Sequence, residues 1–246
     1  MIQPHLNIDK IRKYVLLPGD PGRLDTFAKF LKGVKEVSFN REYKVIEGNY
    51  QGVDVSVVSS GMGCPSAAIA VEELANIGAE VIIRVGTCGG LLTEMSAGDL
   101  VIPSDVLCWD GTTKEYKKGI DRVKPNKQMF NLLLKSAEKK KIKFFTGINR
   151  THDAYYEPTE NFLKLKGQGI VSSEMEASAV LLVSQLRGLK AGCILVVKTP
   201  EPPELVEKDP EMIYKLINEE KVIKGTDDAI YIALETIKSF GRGKEL

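Results

Sequence analysis

The chain has 246 residues, of which 43% are hydrophobic and 27% charged, and a formal net charge of +1. This ordinary globular composition and near-neutral charge argue against a nucleic-acid-binding or membrane-surface protein, and no apolar run reaches the ~18 residues of a spanning helix. The N-terminus lacks the apolar stretch of a signal peptide, and the four cysteines form no CxxC pair. We therefore expect a cytoplasmic protein with reduced thiols and no structural zinc.

Short β-branched runs alternate with helical patterns along the chain. The sequence predicts strands at 14–17, 53–58, 81–85 and 193–197, and helices at 67–77 and 226–240. Each strand runs into a Gly-rich or Pro-rich turn, at 18–23, 59–66, 86–90 and 198–200. Two hairpin-like segments, 43–58 and the segment from 100 onward, indicate a mixed rather than a parallel sheet.

These elements predict an α/β fold with a mixed central β-sheet flanked by helices, formed as one domain over residues 1–246. A ligand crevice in such a fold lies beyond the C-terminal ends of the strands, where the four turns would meet. The polar segment 109–124 is predicted to be an exposed loop. Segment 199–212, rich in prolines and acids, is predicted to be a mobile loop that can act as a lid.

Two arginines at or within predicted buried strands are candidates for binding an anion. Arg23 ends the motif GDPGR at 19–23, where glycines let backbone N–H groups approach an anion, although a tight surface turn is the alternative. Arg84 lies inside a strand that should be wholly apolar, so its charge needs either an internal carboxylate or a bound anion. Gly86 and Thr87 follow at the strand end, which favours the anion.

Two further segments have competing structural explanations. Arg41, in the sequence NREY at 40–43, is by itself no more than a solvated charge. The sequence SEME at 173–176 precedes an apolar run, so its spacing favours a capping box at a helix N-terminus. Glu174 and Glu176 would then point to different sides of the helix, and at most one would face the crevice. The alternative is a carboxylate that binds a ribose diol at a strand-to-helix junction.

A dinucleotide-binding motif and a histidine-based site are both disfavoured. The sequence GMGCPS at 61–66 resembles the GxGxxG turn, but Ser66 replaces the third glycine and no acid ends the following strand. A Rossmann oxidoreductase is therefore the weaker interpretation. His5 and His152 are too isolated to form a Ser–His or metal site.

Taken together and in order, these motifs resemble the nucleoside phosphorylase family, which includes uridine phosphorylase and the hexameric purine nucleoside phosphorylases. The resemblance runs from residue 4 to about residue 199. Seven motifs carry it, namely GDPGR (19–23), NREY (40–43), SGMGCPS (60–66), VEEL (71–74), IRVGTCG (83–89), DAYY (153–156) and EMEA (174–177).

The resemblance implies a ligand role for each matched position. The positions for phosphate are Gly19, Arg23, Arg84, Thr87 and, from a neighbouring subunit, Arg41. The positions for ribose are Met175, Glu176 and, again from the neighbour, His5. The positions around the base include Cys88, Gly89 and Tyr155. Residues shared between subunits imply a homodimer as the catalytic unit and a hexamer of three dimers, and the resemblance also allows a potassium ion at Glu42 and Ser66.

The base end departs from both branches of the family. The purine enzymes have a Ser-Asp pair where this chain has Lys198 nearby and no acid until Glu201. The uridine enzymes have Asn-Arg-Thr there, which Val-Lys-Thr at 197–199 matches better, with Lys198 able to stabilise a leaving pyrimidine. Thr159 and Asn161 stand where those enzymes place the Gln and Arg that bind uracil. We therefore expect uridine as substrate, with a purine or unusual nucleoside as the alternative.

The resemblance implies a glycosyltransferase that uses inorganic phosphate as co-substrate and needs no cofactor. Phosphate held by arginines would attack the anomeric carbon as the ribose becomes oxocarbenium-like, so positioning and electrostatics would supply most of the rate. Arg84, Glu176 and Arg23 are the predicted catalytic residues. A non-catalytic nucleoside sensor and a hydrolytic nucleosidase are the alternatives.

Overall fold

A mixed β-sheet of ten strands organises the residues that the computed structural model describes, 1–209 and 211–243. The strands are β1 (Tyr14–Leu17), β2 (Lys32–Asn40), β3 (Tyr43–Tyr50), β4 (Val53–Val58), β5 (Val81–Gly90), β6 (Leu100–Cys108), β7 (Arg122–Val123), β8 (Phe144–Thr151), β9 (Ile170–Glu174) and β10 (Lys190–Pro200). The helices are α1 (Leu24–Ala28), α2 (Cys64–Asn76), α3 (Thr112–Tyr116), α4 (Lys127–Lys140), α5 (Thr159–Leu163), α6 (Ala177–Leu186), α7 (Pro203–Lys208), α8 (Met212–Lys215) and α9 (Glu219–Gly241). None of the described helices is long and apolar enough to cross a membrane.

Five of the strands close into a ring. Each strand pairs with the next in the order β10, β6, β8, β9 and β5, and β5 pairs again with β10. From β5 the sheet continues outward through β1, β4 and β3 to β2, so β5 belongs both to the ring and to the open part of the sheet. The pairs β1–β4, β1–β5, β5–β10, β6–β8 and β8–β9 are parallel, and the other pairs are antiparallel. The predicted mixed sheet flanked by helices is confirmed.

Side chains of β5 alternate between two apolar layers that cover the sheet. Ile83 packs in the core that includes α4 and α9, where Ile230 is fully buried. Ile82 packs on the opposite face, against α2 and α6, in the same cluster as Val71. Because strand residues two apart share a face, Arg84 points to the side of Ile82. A charge is thereby directed into a face that is otherwise apolar.

The hairpin predicted over 43–58 is formed by β3 and β4. Its two-residue turn is Gln51 and Gly52, which have φ angles of 48° and 94°. Tyr50 and Val53 pair directly across that turn. Positive φ at both central positions is the conformation that matches the twist of a tight hairpin.

Two predicted strands are longer than the sequence indicates. β5 continues through Gly90 and β10 through Pro200, because residues 86–90 pair with the end of β10. The segments predicted as turns at 86–90 and 198–200 are therefore paired strand ends. The second hairpin-like segment is β6, whose antiparallel partners are the short β7 and the distant β10.

The two segments predicted to be loops contain helices. Segment 109–124 includes α3 and β7, and segment 199–212 includes the end of β10, all of α7 and the start of α8. Position 210 lies outside the described residues. Pro203 and Val206 bury the inner side of α7, so the expectation of a structureless loop there is wrong for the part that the structure describes. The helix predicted at 226–240 is α9, which begins seven residues earlier, at Glu219.

Candidate active site

A cavity of about 690 Å³ lies at the ends of several strands. Residues from all four predicted turns line it, at 18–23, 59–66, 86–90 and 198–200. β4, β1, β5 and β10 are parallel neighbours in that order, so their C-terminal ends meet at one edge of the sheet. The cavity occupies the position that the strand pattern predicts for a ligand crevice.

Arg84 is buried between two carboxylates. It is only 2% exposed, its Nε donates to Glu174 Oε2 at 3.0 Å, and its Nη2 donates to Glu176 Oε2 at 2.5 Å. Burial works to lower the pKa of Arg84, but Glu176 and Glu174 outweigh it and raise that pKa above its ordinary value. Internal carboxylates therefore hold this charge in place. This is the first of the two partners expected for a buried arginine, an internal carboxylate or a bound anion.

One nitrogen of the same guanidinium is left over. Nη1 of Arg84 is buried and has no hydrogen-bond partner within the described part of the chain. Leaving a buried donor unsatisfied costs about 1–3 kcal/mol, so the folded chain bears this cost for a group at the cavity wall. A guanidinium N–H at such a place can donate a hydrogen bond to an anion oxygen.

Glu174 fixes the start of α6. Its Oε2 accepts from the backbone N–H groups of Glu176 and Ala177, both at 2.8 Å. Since the first N–H groups of a helix have no partner within it, Glu174 acts as the cap of α6. The capping box predicted at 173–176 is wrong, because Ser173 lies in β9 and the helix begins only at Ala177.

The two glutamates converge rather than diverge. The prediction that Glu174 and Glu176 point to different sides of a helix fails because neither residue is helical, and both carboxylates reach Arg84. Glu174 also binds β8 through Oε1, which accepts from Asn149 at 3.0 Å and Thr151 at 2.6 Å. With its hydrogen bonds thus occupied, Glu174 is a structural partner, and Glu176 is the carboxylate left for a ligand.

Glu176 lies at the N-terminal end of α6 and lines the cavity. Its Oε1 accepts from the backbone N–H of Gly63 at 2.6 Å. Gly63 has a φ of 87°, a conformation that favours glycine. Burial raises the pKa of Glu176, and Arg84 opposes that rise. The carboxylate is therefore fixed from both sides and can accept hydrogen bonds from vicinal hydroxyl groups.

A second guanidinium faces the same part of the cavity. Arg23 Nη2 donates to Thr87 Oγ1 at 3.5 Å. Burial lowers the pKa of Arg23, with Asp20 opposing that effect and the like charge of Arg84 reinforcing it. Two partly desolvated cations at one wall make a favourable place for a dianion. Gly19 lies beside them, with backbone close enough to Gly61 that an added Cβ would lie 3.2 Å from its carbonyl oxygen.

Most of the predicted ligand positions line the cavity. They are Gly19, Arg23, Glu42, Arg84, Thr87, Cys88, Gly89, Tyr155, Thr159, Met175, Glu176 and Lys198. Four predicted positions, His5, Arg41, Ser66 and Asn161, are not among the lining residues.

His5 and Arg41, the two positions expected to serve a neighbouring subunit, lie away from this chain's own cavity. Glu73 orients His5, since its Oε1 lies 2.6 Å from His5 Nδ1 and also accepts from the His5 backbone N–H. Arg41 is exposed in the turn between β2 and β3, with a φ of 56°. Their roles across an interface remain predictions.

Asn161 does not reach the cavity wall. It lies in α5, and its Oδ1 accepts from Lys164 Nζ at 2.7 Å on the outside of that helix. The expectation that Asn161 binds the base is therefore not supported by its position. Thr159, at the start of α5, does line the cavity.

A buried ion pair that the sequence analysis did not single out lies at the opposite end of the cavity. Arg150 is 1% exposed, and its two terminal nitrogens donate to the two carboxylate oxygens of Glu157 at 2.9 and 2.8 Å. Its Nε donates to Ser173 Oγ at 3.0 Å. The pair ties the segment that carries Tyr155 to β8 and β9. A charged residue inside a strand pattern, the signal that identified Arg84, is also present at Arg150.

An acid missed as a site residue also reaches this end. Glu201, one residue beyond β10, lines the cavity beside Gly89, and burial raises the pKa of its carboxyl to about 7. In the sequence, Glu201 stands out only as an acid that comes too late for the purine-enzyme pattern. Its proximity to Gly89 depends on the β5–β10 pairing, which no short motif encodes.

Metal-binding clusters are not found in the described residues, where no group of three or more His, Cys, Asp or Glu side chains is placed to hold an ion. Glu42 and Ser66, the two positions that the resemblance connects with potassium, are hydrogen-bonded to each other at 2.9 Å. Both side chains supply oxygen atoms, which are the type of ligand that a monovalent cation binds.

Comparison with known proteins agrees with this geometry. The model of the Phosphorylase superfamily matches residues 13–218. A guanosine phosphorylase from Halorubrum lacusprofundi is 35% identical over 79% of this chain and 82% of its own length. A uridine phosphorylase from Thermococcus kodakarensis is 34% identical over 76% of this chain and 73% of its own length. The crystal structure of a uridine phosphorylase from Vibrio fischeri, 29% identical, superimposes with a TM-score of 0.87 over 96% of each chain.

The chain belongs to the phosphorylase superfamily. Within it, relatives named for uridine, guanosine and purine nucleosides define the class as nucleoside phosphorylases. These enzymes are pentosyltransferases, which transfer the sugar of a nucleoside to phosphate and need no further cofactor. The relatives' names divide between pyrimidine and purine substrates.

Proposed function

We propose that this nucleoside phosphorylase acts on uridine, giving uracil and ribose 1-phosphate. The observation that carries the proposal is the unpartnered Nη1 of Arg84, in a cavity wall that also holds Arg23 and the ordered carboxylate of Glu176. This wall offers positive charge for a phosphate and an acceptor for a sugar diol at neighbouring positions. Those are the two ligands that a phosphorolytic reaction must bring together.

Phosphate is placed by charge and by backbone. Arg84, Arg23 and Thr87 hold its oxygens, with backbone N–H groups near Gly19 and Arg41 of a neighbouring subunit completing the shell. The dianion attacks the anomeric carbon as the C1′–N1 bond breaks, and it also stabilises the oxocarbenium-like sugar. No covalent enzyme intermediate is needed.

The sugar is held by Glu176, with Met175 against the ribose and His5 of a neighbouring subunit at the 5′-hydroxyl. Glu73 orients the His5 ring, which suits a hydrogen bond to a hydroxyl group. Because two ligands come from a neighbour, we infer a homodimer as the catalytic unit and three such dimers as the assembly. A potassium ion at Glu42 and Ser66 would organise the turn that carries Arg41, and no reaction step depends on it.

The base lies toward Tyr155, Thr159 and Lys198, with Cys88 and Gly89 behind it. The ammonium group of Lys198 supports a leaving pyrimidine that carries negative charge. One observation favours a second candidate, guanosine. A carboxyl, that of Glu201, lines this end of the cavity, and guanine presents two adjacent N–H donors to an acceptor.

The test is a substrate panel with and without phosphate. Uridine, thymidine, guanosine, inosine and adenosine are incubated with the full chain, and free base and ribose 1-phosphate are measured. The proposal expects phosphate-dependent release that is fastest with uridine. Faster release from guanosine would move the assignment to the second candidate, binding without turnover would indicate a sensor, and release without phosphate would indicate a nucleosidase.

A further inference from the structure

Glu201, at the proposed base end of the cavity, has a carboxyl with no hydrogen-bond partner among the described residues. Its backbone N–H donates to Gly90 O at 2.8 Å, which fixes the residue to the end of β5. Its Oε1 lies against Gly89, where an added Cβ would come within 1.6 Å of that oxygen. The glycine leaves room for the carboxyl in this position, where it lines the cavity.

The surroundings of Glu201 do not favour its ionised form. Among the described residues neither a side chain nor a backbone N–H donates to its carboxyl. Arg150, on β8, is the nearest cation that acts on it, but Arg150 is already bound to both oxygens of Glu157. Burial raises the pKa of Glu201 to about 7, with Arg150 lowering it and Glu157 raising it. The buried thiol of Cys88 on β5, the exposed amine of Lys198 on β10 and the imidazole of His152, whose pKa burial lowers, also line the cavity, as do Tyr155, Tyr156 and Tyr214.

We propose that Glu201 acts in its neutral form, donating a hydrogen bond to a ring carbonyl of the leaving base while its other oxygen accepts from the adjacent ring N–H. This inference rests on the proposed function and names a residue for the base half of the site. A neutral carboxyl and a lactam are complementary, because each has one donor beside one acceptor. The base is thus held by a cyclic pair of hydrogen bonds.

The hydrogen bond gains strength during the reaction. When the C1′–N1 bond breaks, its electron pair stays on the base, and the negative charge spreads to the ring carbonyl oxygens. A donor placed at such an oxygen stabilises the transition state more than the ground state. The proton remains on Glu201. Hydrogen phosphate loses its own proton as its oxygen bonds to C1′, and the base takes up one proton through solvent, so the step is balanced.

The ionised form of Glu201 would oppose the same step. A carboxylate has no donor for the carbonyl, and its charge repels the base anion. Turnover should therefore fall as the pH rises through about 7, the pKa to which burial raises this carboxyl. Glutamine at position 201 offers the same donor and acceptor but does not titrate, so it separates this group from every other ionisable group in the site.

The experiment measures kcat and kcat/KM for uridine between pH 5.5 and 9 in wild type, Glu201→Gln and Glu201→Ala at saturating phosphate, since kcat/KM reports the pKa of the free enzyme. Glu204→Gln is the matched control, since Glu204 is exposed on α7 and carries the same change of charge. We expect Glu201→Gln to keep wild-type activity at pH 6 within about threefold and to lose the alkaline decline, and Glu201→Ala to fall about 100-fold. The alanine loss should shrink with 5-fluorouridine, whose more acidic base needs less stabilisation.

Two outcomes distinguish a failure of the role of Glu201 from a failure of the proposed function. Wild type that cleaves no uridine at any pH would overturn the proposed function itself. Wild type that cleaves uridine, together with a Glu201→Gln variant that retains the alkaline decline or a Glu201→Ala variant of unchanged kcat, would overturn the role of Glu201 alone. Circular dichroism of each variant checks that the fold is retained.

Discussion

The two ends of the cavity are built in different ways. At the end proposed to bind phosphate and ribose, Arg84 on β5, Glu174 on β9 and Glu176 just before α6 form a buried network in which each charge has an opposite charge beside it. At the end proposed for the base, part of the wall comes from segments after β8 and β10, where Tyr155 and Tyr214 are 68% and 67% exposed.

The contrast indicates which half of the reaction is fixed by the fold. Arg84 and Glu176, proposed to bind phosphate and ribose, are positioned by paired strands and the start of a capped helix, so they cannot move without disturbing the core. Tyr155 and Thr159, proposed to contact the base, lie on a connection and a short helix, which tolerate replacement. The names of the relatives, which share the family but divide between uridine and guanosine, fit this division.

The largest expected effect comes from removal of the Arg84 charge. Arg84→Ala leaves Glu174 and Glu176 buried without their cation, so we expect turnover to be abolished and the free energy of unfolding to fall by about 3–5 kcal/mol. Kinetics and urea unfolding would measure the two losses. A variant as stable as wild type would show that the network is not a structural part of the core.

Arg23 separates phosphate binding from stability. Arg23→Ala should reduce kcat/KM for phosphate about 100-fold with little change in Tm, because among the described residues its guanidinium makes one hydrogen bond, at 3.5 Å to Thr87, and no ion pair. Phosphate should also protect wild type from thermal unfolding more than it protects the variant. Arg122→Ala is the control, since Arg122 pairs with Asp105 at a half-exposed site. Equal losses in both variants would contradict a local role.

A change at Gly89 tests the base end without altering any charge. In Gly89→Ala the new methyl group would occupy the place of the Glu201 carboxyl, so we expect kcat for uridine to fall about tenfold. If the effect acts through Glu201, the double variant with Glu201→Ala should be no worse than Glu201→Ala alone. Additive losses would place the effect of the methyl group elsewhere.

The smallest expected effect is a shift in the pH at which activity with uridine declines. Glu157 raises the pKa of Glu201 and holds Arg150, which lowers it. Glu157→Gln removes the like charge and leaves the Arg150 charge without its partner, free to act on Glu201, and both changes lower the pKa of Glu201. The decline in kcat/KM should therefore move to lower pH. A decline that stays in place or moves to higher pH would show that Glu157 does not act on the group that titrates. A pH profile with uridine, measured beside Glu160→Gln on the exposed side of α5 as control, tests this.

Stability should depend on pH at the same carboxyl. The pKa of Glu201 in the folded chain is raised to about 7 from 4.5, so the folded state binds the proton more tightly and loses stability as the pH rises from about 4.5 to 7 and above. Glu201→Gln lacks this loss. Its Tm relative to wild type should be about 5–10 °C higher at pH 8.5 than at pH 5. A constant difference would indicate a solvated carboxyl.

Local sequence patterns predicted the parts of the fold that depend on local chemistry. The strands β1 and β4, the hairpin turn at Gln51 and Gly52, and the meeting of four strand ends follow from alternation and turn residues. The capping box at 173–176 failed because the pattern of a capped helix is the same whether the cap comes from Ser173 or from Glu174 after an extended strand. The deciding contact, Arg84, is distant in sequence.

The site shows the same limit. Arg84 stands out because it interrupts an apolar strand, but its third nitrogen is identified as free only when both carboxylates are placed. Glu201 lies among prolines and acids that resemble a loop, and its burial against Gly89 depends on how far β5 and β10 remain paired. How far two strands stay paired depends on both strands, so the residue pattern of one strand does not predict it.

The closed ring of five strands has a consequence for how the enzyme can change over time. In an open sheet an edge strand can shift its register by accommodating one new neighbour, but a strand in a ring must change its pairing on both sides at once. Insertions within β5 are therefore strongly disfavoured, whereas the segments that leave β8 and β10 can lengthen freely outside the ring. New substrate preferences should therefore arise when the segments after β8 and β10 lengthen, while the residues of the reaction centre stay the same.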